Sequence, residues 1–182
     1  MNILCNPCVS AVRKSDETMK FCPKCGRDLA PAEIDGQTHL TCSSNSCDYV
    51  FWDNPIPVVA ALVEQEGAVI LVRNKAWPPK MFGLVTGFLE KGETPESGVL
   101  REVKEELGLD GRIVDLIGIY SFFEMNQLIL AFHVQIKGQV VLGEELAELK
   151  VLPPQKLRPW AFGTGLAIKD WLEKRQRQAT AD

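Results

Sequence analysis

The stretch "GFLEKGETPESGVLREVKEELGL", Gly87 to Leu109, decides the reading of this chain, because it crowds Glu90, Glu93, Glu96, Glu102, Glu105 and Glu106 into one loop and one short helix. Thr94 is suited to the N-cap, Pro95 to the first helical position and Gly108 to the stop, so the spacing predicts a helix over 95–107. On a helix of 3.6 residues per turn, Glu102 and Glu106 stand one turn apart with Glu105 beside them. Like charges so placed repel, and a hard divalent cation offsets that repulsion: Mg²⁺ or Mn²⁺ takes carboxylate oxygens and waters, and bridges them to substrate phosphates. Glu93, in the preceding loop, is placed to approach Arg101 and orient the loop over the carboxylate face. The helix therefore reads as a metal platform, with a solvated acidic surface as the alternative.

Working outward, "VVAALVEQEGAVILVRN" reads as two apolar strands around a turn at Glu66-Gly67, and "MFGLVTGFL" as a third strand that feeds the acidic segment. After the helix, "RIVDLIGIYSFF", "LILAFHVQI" and "LAELKVL" read as further strands. "GTGLAIKDWLEKRQ" reads as an amphipathic closing helix with Leu166, Ile168, Trp171 and Leu172 as core contacts. Strands interrupted by one helix and closed by another predict the α/β class, a sandwich of mixed β-sheet and flanking helices.

All six cysteines fall before residue 48. Cys22 and Cys25 in "FCPKCG" and Cys42 and Cys47 in "TCSSNSC" flank a segment able to form a hairpin, which brings four thiolates to one tetrahedral zinc as in a zinc ribbon. Two disulfides or four unpaired thiols are the alternative, but nothing marks a secreted chain. His39 lies between the pairs as a substitute ligand or a hairpin surface residue. Cys5 and Cys8 have no second pair and read as free thiols. "DNPIP", Asp53 to Pro57, is a turn-rich hinge. The expected organisation is an N-terminal extension over 1–19, a zinc ribbon over 20–53 and the α/β domain over 54–182.

A chain of 182 residues with 46% hydrophobic composition supports one well-packed domain plus a small appendage. A net charge of −4 supplies no basic field toward nucleic acid or an anionic membrane. No apolar run is long enough to span a bilayer, and the first residues lack the pattern of a secretory signal. A cytoplasmic protein with no membrane or nucleic-acid partner is the expectation.

Gly87, five residues, Glu93, seven residues, Arg101-Glu102-Val103, one residue, Glu105-Glu106, one residue, Gly108-Leu109 resembles the Nudix box at every defining position. The resemblance implies a Nudix pyrophosphohydrolase that cleaves a nucleoside diphosphate linked to another group. Glu102, Glu105 and Glu106 match the Mg²⁺ or Mn²⁺ ligands of that family, Arg101 and Glu93 its bracing pair, and Gly87 the turn that holds the loop against substrate. Gly98 stands where the family commonly has alanine. Water is the expected nucleophile and a glutamate, in the box or on a later loop, its base; of Glu144, Glu145 and Glu148, Glu145 is the candidate. His133, in an apolar strand, reads as a hydrogen-bonded sheet residue.

A zinc ribbon before such a domain resembles two groups, the NADH pyrophosphatases and the ribbon-bearing FAD pyrophosphatases of plant chloroplasts with their bacterial relatives. The first carries an S-Q-P-W-P-F-P type element after the box, which this chain lacks, and the later layout is more similar to the second. FAD or a related dinucleotide, giving AMP and a second mononucleotide, is therefore the first expectation, with ADP-ribose or NADH as alternatives. Trp77 in "NKAWPPKMFG" is the candidate to stack on a base, and Arg73 or Lys80 to meet phosphate. The family resemblance also implies a homodimer. From other classes, a non-catalytic nucleotide sensor or docking module remains open, as does an RNA-cap hydrolase, though sensors commonly lose a metal glutamate and this chain keeps all three.

Overall fold

The computed structural model describes residues 19–180. The expected extension over 1–19, apart from Met19, lies outside the described residues, and Cys5 and Cys8 with it. The described chain divides between Pro55 and Ile56 into two compact units.

The first unit is a three-stranded antiparallel sheet in the order β1 (Leu29–Ile34), β2 (Gln37–Cys42), β3 (Val50–Phe51). Asp35 and Gly36 join β1 to β2 with φ of 51° and 79°, the left-handed pair that a two-residue hairpin turn requires. The Cys22–Gly26 knuckle closes when Gly26 N donates to Cys22 O at 2.8 Å.

The second unit is built on β4 (Ile56–Gln65), β5 (Ala68–Asn74), β6 (Val85–Phe88), α1 (Pro95–Leu107), β7 (Gly111–Phe122), β8 (Gln127–Ile136), β9 (Leu146–Leu152) and α2 (Thr164–Ala179). The sheet runs β7-β8-β4-β5-β9, with β6 also paired to β4. Among the described strands, only β4 and β8 pair in parallel, because the long connection through α1 and β7 returns the chain in the same direction. The mixed sheet expected from the sequence is therefore present. β4 begins at Ile56, earlier than the hinge suggested, and Pro57 is tolerated there because it stands at the start of the strand.

Strand alternation divides the core into two layers. Val59, Ala61 and Val63 of β4 face the layer that holds Val99, Val103 and Leu107 of α1. Val58, Ala60 and Leu62 face the layer that holds Ala167, Ile168 and Trp171 of α2. Of the contacts expected on α2, Ile168 and Trp171 are buried and Leu172 packs on that layer, whereas Ala167 rather than Leu166 fills the remaining core position. The result is an α/β/α sandwich.

α1 spans the residues its sequence predicts. Thr94 Oγ1 accepts from Ser97 N at 3.2 Å while Thr94 N donates to Ser97 Oγ at 3.0 Å, a reciprocal cap contributing about 1 kcal/mol. Gly108 ends the helix at φ 72°, the left-handed conformation that favours glycine. The packed face of α1 thus fixes Glu102, Glu105 and Glu106 toward the end of β6 and the turn before β9.

Candidate active site

Arg101 organises the carboxylates. Its Nε and Nη2 bind Glu93 at 2.7 and 3.1 Å, its Nη1 reaches Glu102 at 2.7 Å and Glu105 at 3.2 Å, and Nη2 also donates to Phe88 O at 3.1 Å. A guanidinium has five N–H donors, so this residue is fully engaged in holding the loop, helix and strand together. The hydrogen bond from Arg101, followed by that from the Glu90 amide, lowers the Glu93 pKa. Its carboxylate partners, Glu93 first, raise that of Arg101 well above its ordinary value.

Gly87 lies inside β6, paired with Val59, and not in a turn as its place in the motif suggested. A Cβ there would stand 1.7 Å from Glu102 Oε1, so glycine is needed because the Glu102 carboxylate occupies the space of a side chain. A Cβ on Gly98 would meet Leu89 at 3.0 Å and Glu93 at 3.1 Å, which accounts for the smallest residue at that helix position.

A cleft of about 360 Å³ opens over this arrangement, lined by Thr86, Phe88, Arg101 and the carboxylates Glu90, Glu102, Glu105, Glu106, Glu144 and Glu145. Burial raises the pKa of Glu102 against the pull of Arg101. Burial, and then the charges of Glu102, Glu145 and Glu105, push the Glu106 carboxyl up to about 8. Glu106 Oε2 is buried without a hydrogen-bond partner. An orphaned buried carboxylate oxygen beside several others costs stability unless a cation satisfies it, so this donor set fits a hard divalent ion such as Mg²⁺ or Mn²⁺.

The structure brings Glu93, Arg101, Glu102, Glu105, Glu106 and Glu145 together, and separates other expected residues from them. Arg73 is tied to Glu148 at 2.7 Å across the β5–β9 pair, which also removes Glu148 from the cleft. The Trp77 indole lies against Gly83, whose added Cβ would stand 2.9 Å from the ring. His133 faces the opposite layer, with Nε2 2.8 Å from Glu64, as expected for a hydrogen-bonded sheet residue. Thr86 and Phe88 of the cleft, and Gly143 before Glu144, were not singled out in the sequence. Their place follows from strand pairing and from contact between the turn and α1, for which the sequence carries no local signal.

In the first unit, the thiols of Cys22, Cys25, Cys42 and Cys47 all lie within 4.8 Å of one another. Cys22 and Cys47 are 3.7 Å apart and Cys25 and Cys42 3.4 Å, too far for disulfides and close to the roughly 3.8 Å sulfur spacing of a tetrahedron with 2.3 Å zinc–sulfur bonds. Burial raises the Cys22 thiol, but the amides of Lys24 and Cys25 together with the Cys47 and Cys25 thiols bring its pKa down to about 7. Against the pull of the Ser44 and Tyr49 amides, burial and the neighbouring thiols push Cys42 up to about 12 and raise Cys47 as well. Without a cation the four do not all ionise together. His39 stands outside the set, edge-on to Trp52 at 4.9 Å.

A mixed sheet thus lies between two helices, with a carboxylate cleft suited to a hard cation over one of them. The model of the NUDIX domain matches residues 54–172, and the chain belongs to the NUDIX family. An ADP-ribose pyrophosphatase of Methanocaldococcus jannaschii is 30% identical over 131 residues, covering 68% of this chain and 77% of that protein. The NAD-capped RNA hydrolase NudC of Pseudomonas fluorescens is 25% identical over 126 residues, 69% of this chain but only 44% of the relative's length. Among solved structures, a NUDIX hydrolase from Nitrosomonas europaea superimposes with a TM-score of 0.75 at 26% identity, over 87% of this chain and 93% of that one.

Proposed function

We infer that this chain hydrolyses the diphosphate linkage of an ADP derivative, releasing AMP and the second phosphorylated moiety. The observation that carries the reading is the buried, unbonded Glu106 oxygen among the cleft carboxylates, a donor set completed by a divalent cation and a substrate diphosphate. Glu102, Glu105 and Glu106 would hold Mg²⁺ or Mn²⁺, which when bound neutralises the diphosphate charge that repels a nucleophile. Arg101 and Glu93 keep the loop and helix in register. Glu145, on the cleft wall facing the helix carboxylates, is the base that takes the proton of the attacking water.

FAD is the dinucleotide favoured by the layout after the box. ADP-ribose and NADH are the alternatives, and the relatives' names speak of ADP-ribose and NAD-capped RNA; all of these share the ADP half. The four thiols would hold a structural zinc, and a homodimeric, cytoplasmic enzyme completes the proposal from the family resemblance. A nucleotide-binding sensor is the competing reading.

The test is purified protein with Mg²⁺ or Mn²⁺ against FAD, NADH, ADP-ribose, a diadenosine polyphosphate and capped RNA, with products resolved by chromatography and Glu105→Gln as control. AMP release lost in the control supports the hydrolase, and the fastest member names the substrate. Binding without turnover of any member would replace this reading with the sensor.

A further inference from the structure

A regular strand alternates its faces with period two, yet β9 turns both Leu146 and Leu149 into the α1-side core, three residues apart. The ladder resolves the conflict: Arg73 faces Glu148 and Asn74 faces Leu146, so Ala147 is an extra residue, a bulge. Bulges beside active sites re-aim side chains. Here the bulge sets Leu146 inward and leaves Glu145 on the cleft wall with Glu102, Glu105 and Glu106.

The turn that carries Glu145 is held from two sides. On the helix side, Gly143 N donates to Glu106 O at 2.8 Å and Leu146 N to Gly143 O at 3.1 Å. A Cβ on Gly143 would stand 2.3 Å from Glu105 O, so the turn is pressed directly on the helix backbone. On the sheet side, Lys75 N donates to Glu145 O at 2.9 Å and Lys75 Nζ donates to Glu144 O. Asn74 Nδ2 lies 3.5 Å from Glu145 Oε2, while Asn74 Oδ1 accepts from Ala76 N at 2.9 Å and fixes that side chain. Lys75 is exposed. Its ammonium is committed to a main-chain oxygen of the segment that presents Glu145, a use of charge that core packing does not require.

We propose that Asn74 and Lys75 are positioning residues that clamp the Gly143–Leu146 turn and thereby fix the Glu145 carboxylate opposite the helix carboxylates. The proposal rests on the reading of Glu145 as the base for water. Misplacing a reacting group by an ångström reduces rate by up to about 10²-fold, and a lost hydrogen bond at an exposed turn by less. Lys75→Met is therefore expected to lower kcat by about tenfold with KM unchanged.

The experiment compares Lys75→Met, Lys75→Arg, Glu145→Gln and the Lys75→Met/Glu145→Gln pair on whichever diphosphate the wild type turns over. Backbone hydrogen exchange of residues 141–149 is followed in the same proteins. The proposal expects Glu145→Gln to be slow, the double variant to be no slower than Glu145→Gln alone, Lys75→Arg to recover most of kcat, and exchange to quicken over 143–146 in Lys75→Met but not in α1. A double variant whose losses multiply, or a Lys75→Met protein with wild-type kcat, overturns the clamp and leaves the base reading standing. Wild-type kcat in Glu145→Gln removes the base reading and the proposal with it. Should no diphosphate be turned over, unchanged exchange over 143–146 in Lys75→Met overturns the clamp, and quickened exchange supports it.

Discussion

The two faces of the central sheet each shield a glutamate carboxylate from water, and they treat it in opposite ways. On the α2 face, Glu64, 6% exposed, meets His133 Nε2 at 2.8 Å, Arg175 Nη1 at 3.1 Å and Gln135 Nε2 at 3.4 Å. On the α1 face, Glu106 has acidic neighbours and an oxygen with no partner. A buried carboxylate whose acceptor capacity is filled by the fold is a brace. One that the fold leaves unfilled holds stability in reserve for a ligand, and only a cation suits it in such a field.

The largest expected effect breaks the α1 face. Glu106→Gln should reduce divalent-dependent turnover on the order of 10²-fold or more, with the fold intact by circular dichroism. Turnover near wild type would show that the orphaned oxygen does not serve the cation.

The second sharpens the comparison through pH. The folded Glu106 carboxyl, at about 8, lies above its ordinary 4.5, so its contribution to stability is full at low pH and is lost as pH rises through 8. Without divalent ions, the wild-type Tm should fall by several degrees between pH 6 and 9, and the Glu106→Gln protein should show a flatter profile. Added Mg²⁺ should restore more Tm at pH 9 than at pH 6, because the cation takes the ionised form. Parallel profiles for the two proteins would count against a desolvated Glu106.

The third breaks the α2 face. Glu64→Leu strands His133 and Gln135 and should destabilise the protein by about 1–3 kcal/mol in denaturant unfolding, while divalent affinity stays unchanged. A change in divalent affinity would mean that the two faces are coupled. The smallest effect lies in the helix itself: Thr94→Ala removes the cap and should cost about 1 kcal/mol with little change in kcat. A large kcat loss there would show that the loop before α1 depends on the cap for more than stability.

Much of the site was legible in the sequence because it is local. Thr94, Pro95 and Gly108 set the limits of α1, and helical spacing alone puts Glu102, Glu105 and Glu106 together. The four cysteines were legible for the same reason, as two short knuckles joined by a hairpin. What the sequence left unseen concerns long side chains and their partners across the sheet. Arg73, the candidate to meet phosphate, pairs with Glu148, and Trp77, the candidate to stack on a base, lies against Gly83. Gly87 looked like a turn glycine, and its reason is the carboxylate of a residue on another element.

The sequence by itself determined the helix, its cap and stop, the carboxylate triad and the cysteine set, because each depends on spacings shorter than about two turns or on one hairpin. Only the tertiary structure decided which carboxylates are starved of partners and which are satisfied. Glu64 and Glu106 are the same residue type, each packed beside one layer of the core, and their difference lies in what β8, α2 and the turn before β9 bring to them from distant parts of the chain. Burial and hydrogen-bond satisfaction are properties of packing between elements, and no local pattern encodes them.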